Sequence, residues 1–231
     1  RWAATYSLFR LLRLLDRRDT VPDASWWRER LAACAARREG IDATAWRLVH
    51  GEGDGLPSLV VDRYDRWLVV QLLSAGLESQ REMVLEALNE LCRPDGILLR
   101  NDVPVRRREK LDQSITLARG SVPEAVEVRE GAIRYLAAPW TGQKTGAFLD
   151  QRQNRVLAGR LARQGGEALD CFTYHGSFAL HLATRARHVT GLDASADALA
   201  RAGENARLNG LGNLEWVEGD VFELLRAWER E

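Results

Sequence analysis

The stretch "ALDCFTYHGSFALHLATRARHVTGLD", residues 168–193, decides the fold of the second half of the chain. In it a short apolar run ends at Asp170, a helical pattern follows, and a second apolar run ends at Asp193. The alternation continues with a helical pattern over 195–210 and a third apolar run over 214–220. Strands that alternate with helices of this length are typical of a parallel sheet with crossover helices. The sequence therefore predicts the start of a doubly wound, Rossmann-like α/β domain.

Two regions are predicted to precede this domain. Residues 1–44 are expected to form a helical linker, with helices over 7–17 and over 23–38. Residues 45–138 are expected to form a small α+β domain of β-β-α-β-β order, because short β-branched runs surround one helical pattern. Its predicted strands cover 46–49, 59–62, 67–73 and 96–102, its helix covers 79–94, and its hairpin covers 126–139 with a turn at Glu130 and Gly131.

The Rossmann-like domain is predicted to cover 139–231. The sequence opens without Met and stops inside a helical pattern after the third strand. We therefore expect a chain truncated at both ends, with the C-terminal half of the Rossmann-like domain missing.

Composition limits the classes of protein that remain. The formal net charge is zero and 45% of the residues are apolar, which favours a globular protein and counts mildly against nucleic acid as the sole partner. No apolar run reaches the length of a membrane helix, and the first residues do not resemble a signal peptide. Three cysteines without a CxxC pair indicate a reducing cytoplasm and give no support for a structural metal site.

Three acids follow or end the predicted parallel strands. Asp170, Asp193 and Asp220 would lie at the carboxyl ends of the strands, where doubly wound folds bind ligands. Asp193 follows Asp170 by 193 − 170 = 23 residues, close to the offset of about 20 at which an acid accepts hydrogen bonds from ribose hydroxyls. Asp220 is then placed for an adenine amino group. The pattern indicates an adenosine-bearing ligand, and the alternative is that the acids only end their strands as polar stops.

The loop after Asp170 distinguishes between such ligands. A dinucleotide fingerprint needs three glycines so that backbone amides reach the pyrophosphate, whereas this loop contains only Gly176. An acid at the mouth of the loop repels a diphosphate and suits a cationic amino-acid group. The loop therefore favours S-adenosylmethionine as the cofactor over NAD.

At this point the sequence resembles a known family. "ALDCFTYHGSFALHLA", "VTGLDASADALARAGENARLNGL" and "LEWVEGDVFELL" are similar to the first three cofactor motifs of class I methyltransferases. "GQKTGAFLDQRQNR" (142–155) and "RLVHGEGDGLPSLVVDRYD" (47–65) resemble the RlmI/RlmO-like branch of ribosomal RNA large-subunit methyltransferases, which make 5-methylcytosine. The resemblance runs from about residue 5 to the end. It implies an RNA-binding PUA domain before Arg1, then the small domain, then the catalytic domain.

The resemblance also implies site residues and partners. The implied partner is 23S ribosomal RNA, with a homodimer as one oligomeric state to test and no membrane. Lys144 and Arg152 are implied to contact RNA. The residues implied to bind the cofactor are Asp170, Phe172, Thr173, Tyr174, Gly176, Ser177, Asp193, Ala194, Asp220 and Val221, with Lys144, Phe148, Asp150 and Gln151 against the cofactor or the incoming nucleotide.

The chain departs from the family pattern in its loop and in its chemistry. The family loop usually reads D-L-F-C-Y-T-G-G-F, so Cys171, Thr173, His175 and Ser177 are substitutions, and Ser177 in place of glycine is expected to tighten the loop or lower cofactor affinity. Methylation of a cytosine ring carbon needs a thiolate nucleophile. The family places it on a later cysteine, after an Asp-Pro-Pro motif, and this chain has no Pro-Pro. We therefore assign no catalytic residue here and expect the chain alone to be inactive.

Three alternatives stay open at the level of sequence. The cofactor motifs do not name the acceptor, so a guanine or small-molecule methyltransferase of the same fold fits them too. An RNA-binding protein with a vestigial cofactor fold is the alternative outside the enzymes. A nicotinamide-dependent oxidoreductase is the third, and the missing glycines count against it.

Overall fold

The computed structural model describes residues 2–7, 10–14 and 22–230. The chain divides into two compact units. The first runs to Val126 and resumes over Ala137–Leu149. The second comprises Glu127–Leu136 and the chain from Asp150 onward. Within the described residues, every helix is too short or too polar to cross a membrane.

The first described elements are two strands, β1 (Trp2–Ser7) and β2 (Arg10–Leu14), which pair antiparallel with Trp2 opposite Leu14. The helix predicted over 7–17 is therefore wrong at Ser7 and across β2, while residues 8, 9 and 15–17 lie outside the described part of the chain. The physical reason is that a short apolar run satisfies the helical and the extended period equally well. Pairing with β1, which the local pattern does not show, decides between them.

The next element is helix α1 (Ala24–Ala36), which confirms the helix predicted over 23–38. It begins where the Asp23 side chain accepts a hydrogen bond from the backbone N–H of Trp26 at 2.8 Å, a standard N-terminal cap. Trp26 and Trp27 are buried in the core of the first unit, as packing anchors rather than as a binding surface.

A five-stranded mixed sheet forms the body of the first unit. Its strands lie in chain order, with the β5–β6 pair parallel and the other pairs antiparallel. The elements are β3 (Ala45–His50), β4 (Leu59–Tyr64), β5 (Trp67–Leu72), α2 (Ala75–Glu78), α3 (Arg81–Cys92), β6 (Gly96–Arg100), α4 (Val105–Arg108) and β7 (Ile115–Gly120), with a 3-10 turn over Gly51–Asp54. The predicted strands and helix are confirmed. The edge strand β7 was not predicted, because its side chains are mostly exposed and show no apolar alternation.

The predicted hairpin is present as β8 (Val126–Glu130) and β9 (Ile133–Ala137), a separate two-stranded sheet. Gly131 in its turn has φ +59°, a left-handed conformation that glycine adopts without strain. Most of the hairpin belongs to the second unit, although the sequence places it in the small domain. The domain boundaries at 44, 138 and 139 stay predictions.

The second unit contains the alternating strands and helices that the sequence predicts. Strands β10, β11 and β12 form a parallel sheet in that order, so the α/β, Rossmann-like fold class is confirmed. Cys171 pairs with Leu192 and Asp193 pairs with Glu218, so the carboxyl ends of the strands meet at one edge. The elements are α5 (Arg152–Leu161), β10 (Glu167–Cys171), α6 (Ser177–Ala183), β11 (His188–Asp193), α7 (Ala196–Leu208), β12 (Leu214–Glu218) and α8 (Val221–Trp228).

Candidate cofactor site

The loop between β10 and α6, residues 170–178, is closed on itself by Asp170; we call it the ligand loop. The Oδ2 atom of Asp170 accepts hydrogen bonds from the Thr173 hydroxyl at 2.5 Å and from the Ala179 backbone N–H at 3.0 Å. The second bond ties the end of the strand to the first turn of α6. Asp170 therefore fixes the path of the ligand loop and is more than a polar strand end.

Three alternate residues of the ligand loop have left-handed backbones: Phe172 at φ +62°, Tyr174 at +52° and Gly176 at +81°. Such a conformation is uncommon for residues with a side chain and is found mostly where the surroundings enforce it. At Gly176 a side chain is also excluded by space, since a Cβ atom there would lie 2.8 Å from the Trp216 ring. The single glycine thus occupies the position where no other residue fits.

Asp193 joins the ligand loop to β11. One of its carboxylate oxygens accepts the Tyr174 backbone N–H at 2.8 Å, and the other accepts the Ser195 backbone N–H at 3.0 Å. A carboxylate offers about four acceptor positions, so two remain after these bonds. The side chain is partly exposed at the sheet edge, and can therefore both hold the loop and accept hydrogen bonds from a diol.

The first two acids also influence each other electrostatically. Burial raises the pKa of Asp170, and the nearby charge of Asp193 raises it further. The hydrogen bonds from Thr173 and Ala179 act in the opposite direction, but the net shift of the pKa is upward. A cationic group near Asp170 would lower this pKa, because an opposite charge favours the ionised carboxylate.

The third acid, Asp220, caps helix α8 by accepting the Glu223 backbone N–H at 3.0 Å. Val221 is buried beside it. The next residue, Phe222, is exposed to 59% and its ring lies 5.7 Å from that of Phe172, which is exposed to 60%. The two rings together form an exposed apolar patch at this edge of the sheet. Phe222 escaped the sequence analysis because an aromatic residue in an amphipathic helix is ordinary.

The remaining predicted residues are distributed over both units. In the second unit Ser177 is buried, Ala194 is exposed, and Asp150 and Gln151 form a 3-10 turn that leads into Arg152. In the first unit, Lys144 has a left-handed backbone (φ +55°), and its ammonium group lies 4.6 Å from the centre of the Phe148 ring. In the second unit, the structure brings the ligand loop together with the acids at the strand ends. Lys144 and Phe148 contact each other within the first unit.

The segment around Lys144 is held by a buried network in the first unit that sequence analysis missed. The Thr145 hydroxyl donates to Asp62 at 2.5 Å, and Asp62 is also paired with Arg47. The Tyr64 hydroxyl accepts the Ala147 backbone N–H at 3.1 Å. These bonds fix the backbone on both sides of Lys144, so its exposed side chain is presented from a rigid turn.

A second missed group is a buried ion cluster in the second unit. Arg155 on α5 donates two hydrogen bonds to Glu130 of the hairpin, at 2.8 and 2.6 Å, and His181 on α6 lies 3.0 Å from the same carboxylate. Burial alone would raise the pKa of Glu130, but the bonds from Arg155 and His181 outweigh it and hold the pKa below its ordinary value. The cluster joins the hairpin to two helices.

His175 in the ligand loop is 4% exposed, and neither of its ring nitrogens has a hydrogen-bond partner. Its ring stacks on Tyr135 of the hairpin, with centroids 5.1 Å apart. Burial, reinforced by the positive charge of Arg155, lowers the pKa of His175 from 6.5 to about 4. The imidazole is therefore neutral in the folded protein at pH 7.

This shift predicts a pH dependence of stability. A histidine whose pKa is lowered by folding takes up its proton first in the unfolded chain, so its contribution to stability is complete above pH 6.5 and is lost between pH 6.5 and 4. Between pH 7 and pH 5 we expect His175 to reduce the free energy of unfolding by about 2 kcal/mol. Urea denaturation of wild type and His175→Phe at both pH values measures the difference. The exposed His50→Gln variant is the control, and equal pH slopes for wild type and His175→Phe would refute the prediction.

Comparisons with known proteins identify methyltransferases that are similar to this chain. Residues 168–230 match a family model described as a methyltransferase domain. The chain is 37% identical over 239 residues to ribosomal RNA large subunit methyltransferase I of Aeromonas hydrophila, and 40% identical over 210 residues to the protein of the same name from Salmonella typhi. The alignments cover 100% and 89% of this chain, and 60% and 50% of those relatives. A solved structure of a putative methyltransferase complexed with SAH matches with a TM-score of 0.86 at 20% identity, over 99% of this chain and 60% of that one.

The chain is similar to these large-subunit methyltransferases over its whole length. It spans about half to three fifths of the length of the two relatives. Within the family pattern, the departing loop residues Thr173, His175 and Ser177 are all buried in this chain. Their side chains therefore lie on the buried side of the ligand loop.

The three cysteines of this chain lie in surroundings that disfavour the thiolate form. Burial raises the pKa of Cys34, Cys92 and Cys171, and the Asp170 carboxylate raises that of Cys171 further. A thiol with a raised pKa is a poor nucleophile at neutral pH, because the thiolate is the reactive form. Across the described ranges, no group of three metal-ligating side chains is arranged to hold an ion.

Proposed function

We propose that the protein to which this chain belongs is an S-adenosylmethionine-dependent methyltransferase that methylates carbon 5 of a cytosine in 23S ribosomal RNA. The observation that carries the cofactor part is Asp193, whose carboxylate lies at the strand edge, orders the ligand loop and retains acceptor positions for a ribose. Support for the RNA part is the name of the relatives, ribosomal RNA large subunit methyltransferase I.

The residues of the second unit fit the three parts of this cofactor. We propose that Asp193 accepts the ribose hydroxyls, since two of its acceptor positions remain. Asp170, with its raised pKa, would pair with the cationic amino-acid end, and the Phe172–Phe222 pair would cover the adenine, with Asp220 at its amino group. Bound S-adenosylmethionine supplies an electrophilic methyl group. The chain's own contribution is to bind and orient that molecule at the sheet edge.

The acceptor chemistry needs a group that we do not assign to this chain. Carbon 5 of cytosine is not basic, so a thiolate must first add to the neighbouring ring carbon. The raised pKa values of Cys34, Cys92 and Cys171 argue against each of them as that thiolate. We propose that none of the three is the nucleophile, and that residues 1–231 alone do not methylate RNA.

RNA is proposed to meet the protein through exposed or flipped-out bases, because the ring carbon is inaccessible inside a helix. Lys144 and Arg152 are the proposed RNA contacts. Lys144 is exposed on a rigid turn, with its ammonium group 4.6 Å from the centre of the Phe148 ring. Cytoplasmic location and homodimer formation stay predictions.

The function is tested with the full-length protein, isotopically labelled S-adenosylmethionine and 23S ribosomal RNA that lacks the modification. Nucleoside mass spectrometry should find the label in 5-methylcytidine. Label in a methylated guanosine would show that the acceptor is guanine and not cytosine. Cofactor binding without transfer to any RNA would favour a small-molecule acceptor, and no binding of the cofactor would leave an RNA-binding protein with a vestigial site.

Lys144→Ala is expected to weaken RNA binding about tenfold at low salt and to reduce the slope of log K against log salt concentration by about 0.7, the effect of losing one phosphate contact on a single strand. Affinity for S-adenosylmethionine should change less than RNA affinity. Lys110→Ala is the matched control, since Lys110 is the only other lysine, is exposed, and has a similar left-handed backbone (φ +56°). Equal slopes for wild type and Lys144→Ala would exclude a phosphate contact at Lys144.

A further inference from the structure

The hairpin β8–β9 bonds to three helices of the second unit. Glu130 on β8 binds Arg155 of α5 and His181 of α6, as described above. The outer edge of β9 faces Asn205 of α7 and Asn209, the C-terminal cap residue of that helix, which lie about one turn apart and hence on one face. The hairpin is thus a structural part of the unit that contains the ligand loop.

The two asparagine side chains form hydrogen bonds with every second backbone N–H group along the edge of β9. The Oδ1 atom of Asn205 accepts the Leu136 backbone N–H at 2.9 Å, and that of Asn209 accepts the Arg134 backbone N–H at 2.8 Å. Asn209 also donates back to the Arg134 carbonyl at 2.6 Å. The edge of β9 therefore has its alternate N–H groups satisfied by amide side chains instead of by another strand.

Asn205 differs from Asn209 in one respect. Its Nδ2 atom donates to the backbone carbonyl of His175 at 2.8 Å, so this fully buried amide bridges the hairpin and the ligand loop. The His175 ring is held on the other side by the stack with Tyr135 of the hairpin. Asn209 has no bond to the ligand loop; its amide donates to the Asn205 carbonyl and to Arg134.

We propose that the hairpin is the positioning element of the ligand loop, and that Asn205 and Tyr135 set the loop in its binding conformation through His175. This inference rests on the proposed function, because it assigns the loop to S-adenosylmethionine. The neighbouring Tyr174 donates its N–H to Asp193, the residue that we propose for the ribose. A displaced His175 carbonyl would therefore move the loop and the carboxylate together.

The energetic consequence concerns affinity more than chemistry. The ligand loop holds Phe172 and Tyr174 in left-handed conformations that an unsupported chain rarely adopts. Without the bridge, the binding conformation becomes a minor state, and the apparent dissociation constant rises by the inverse of its population. At saturating cofactor the loop is ordered again, so the turnover number should be unchanged.

Asn205→Ala and Asn209→Ala in the full-length protein form the test, with S-adenosylmethionine as the titrated ligand. We expect the dissociation constant and the KM for the cofactor to rise about tenfold in Asn205→Ala, as for the loss of one buried hydrogen bond, with kcat unchanged. In Asn209→Ala both constants should stay within about twofold of wild type, because this variant leaves the Asn205–His175 hydrogen bond and the Tyr135–His175 stack in place. Melting temperatures report how much each variant loses in stability.

A second pair of variants keeps the test decisive if Asn205→Ala fails to fold. Tyr135→Leu removes the ring under His175 and should raise the dissociation constant, whereas Tyr135→Phe keeps the stack and should restore it. Equal effects of Asn205→Ala and Asn209→Ala on the dissociation constant would overturn the inference. A wild-type dissociation constant in both Asn205→Ala and Tyr135→Leu would overturn it too. In either case, cofactor binding by the wild-type protein would leave the proposed function intact. A wild-type protein that does not bind the cofactor removes the proposed function, and this inference with it.

Discussion

Arg155→Met is expected to lower the free energy of unfolding of the protein by about 3–5 kcal/mol, the usual cost of leaving one partner of a buried ion pair alone. Arg155 and Glu130 are both 1% exposed, and their two hydrogen bonds are bidentate. Methionine fills much of the volume but donates nothing, so the Glu130 carboxylate loses both hydrogen bonds from the guanidinium group. Urea denaturation at pH 7 measures the loss.

Two controls separate the lost pairing from a general effect of removing an arginine. Arg187→Met breaks an ion pair with Glu167 in which both side chains are more than 60% exposed, and it should cost less than about 1 kcal/mol. The double variant Glu130→Leu with Arg155→Met removes both charges and should recover much of the stability. A loss below about 1 kcal/mol in Arg155→Met would show that the cluster contributes little.

The second large effect is expected at Asp193. Asp193→Ala should weaken binding of S-adenosylmethionine about 100-fold or more, because it removes the proposed acceptor of two ribose hydroxyls and releases the Tyr174 N–H that orders the ligand loop. Isothermal titration of the full-length protein gives the dissociation constant. Asp197→Ala is the matched control, since Asp197 is an exposed acid four residues further on, in the first turn of α7.

Asp193→Asn helps to divide the effect into its two parts. The amide keeps one oxygen that can accept a backbone N–H, but it has only one acceptor atom to offer in place of two. An intermediate loss of affinity is expected. Wild-type affinity in Asp193→Ala would contradict both the ribose assignment and the ordering of the loop by this carboxylate.

The parts of the fold that the sequence predicts are those with a strong local signal. The alternation around Asp170 and Asp193 predicts the parallel sheet, since each apolar run is followed by a complete helical pattern. Helix α1 is predictable from Asp23, whose side chain caps it. The same reasoning fails for β2, where five residues carry too little periodic information and a pairing with β1 decides.

The interior of the site was not predictable, because its interactions join residues that are far apart in the sequence. The sequence pattern does not distinguish Arg155 from an exposed arginine in an arginine-rich helix. Its burial depends on Glu130, 25 residues earlier. Asn205 and Asn209 read as solvated helix positions, although the hairpin edge they satisfy lies about 70 residues earlier. A periodic pattern records which face of a helix is apolar, and does not record which polar groups find partners.

The hairpin edge has a consequence for synthesis of the protein on the ribosome. The Leu136 N–H emerges 69 residues before the Asn205 side chain that accepts its hydrogen bond. At about 5–20 residues per second, the nascent chain presents this unsatisfied strand edge for roughly 3–14 seconds. During that interval the edge is a template for pairing with another chain. Any fragment that ends between these residues keeps the edge open permanently, so we expect such fragments to aggregate more readily than chains that reach α7.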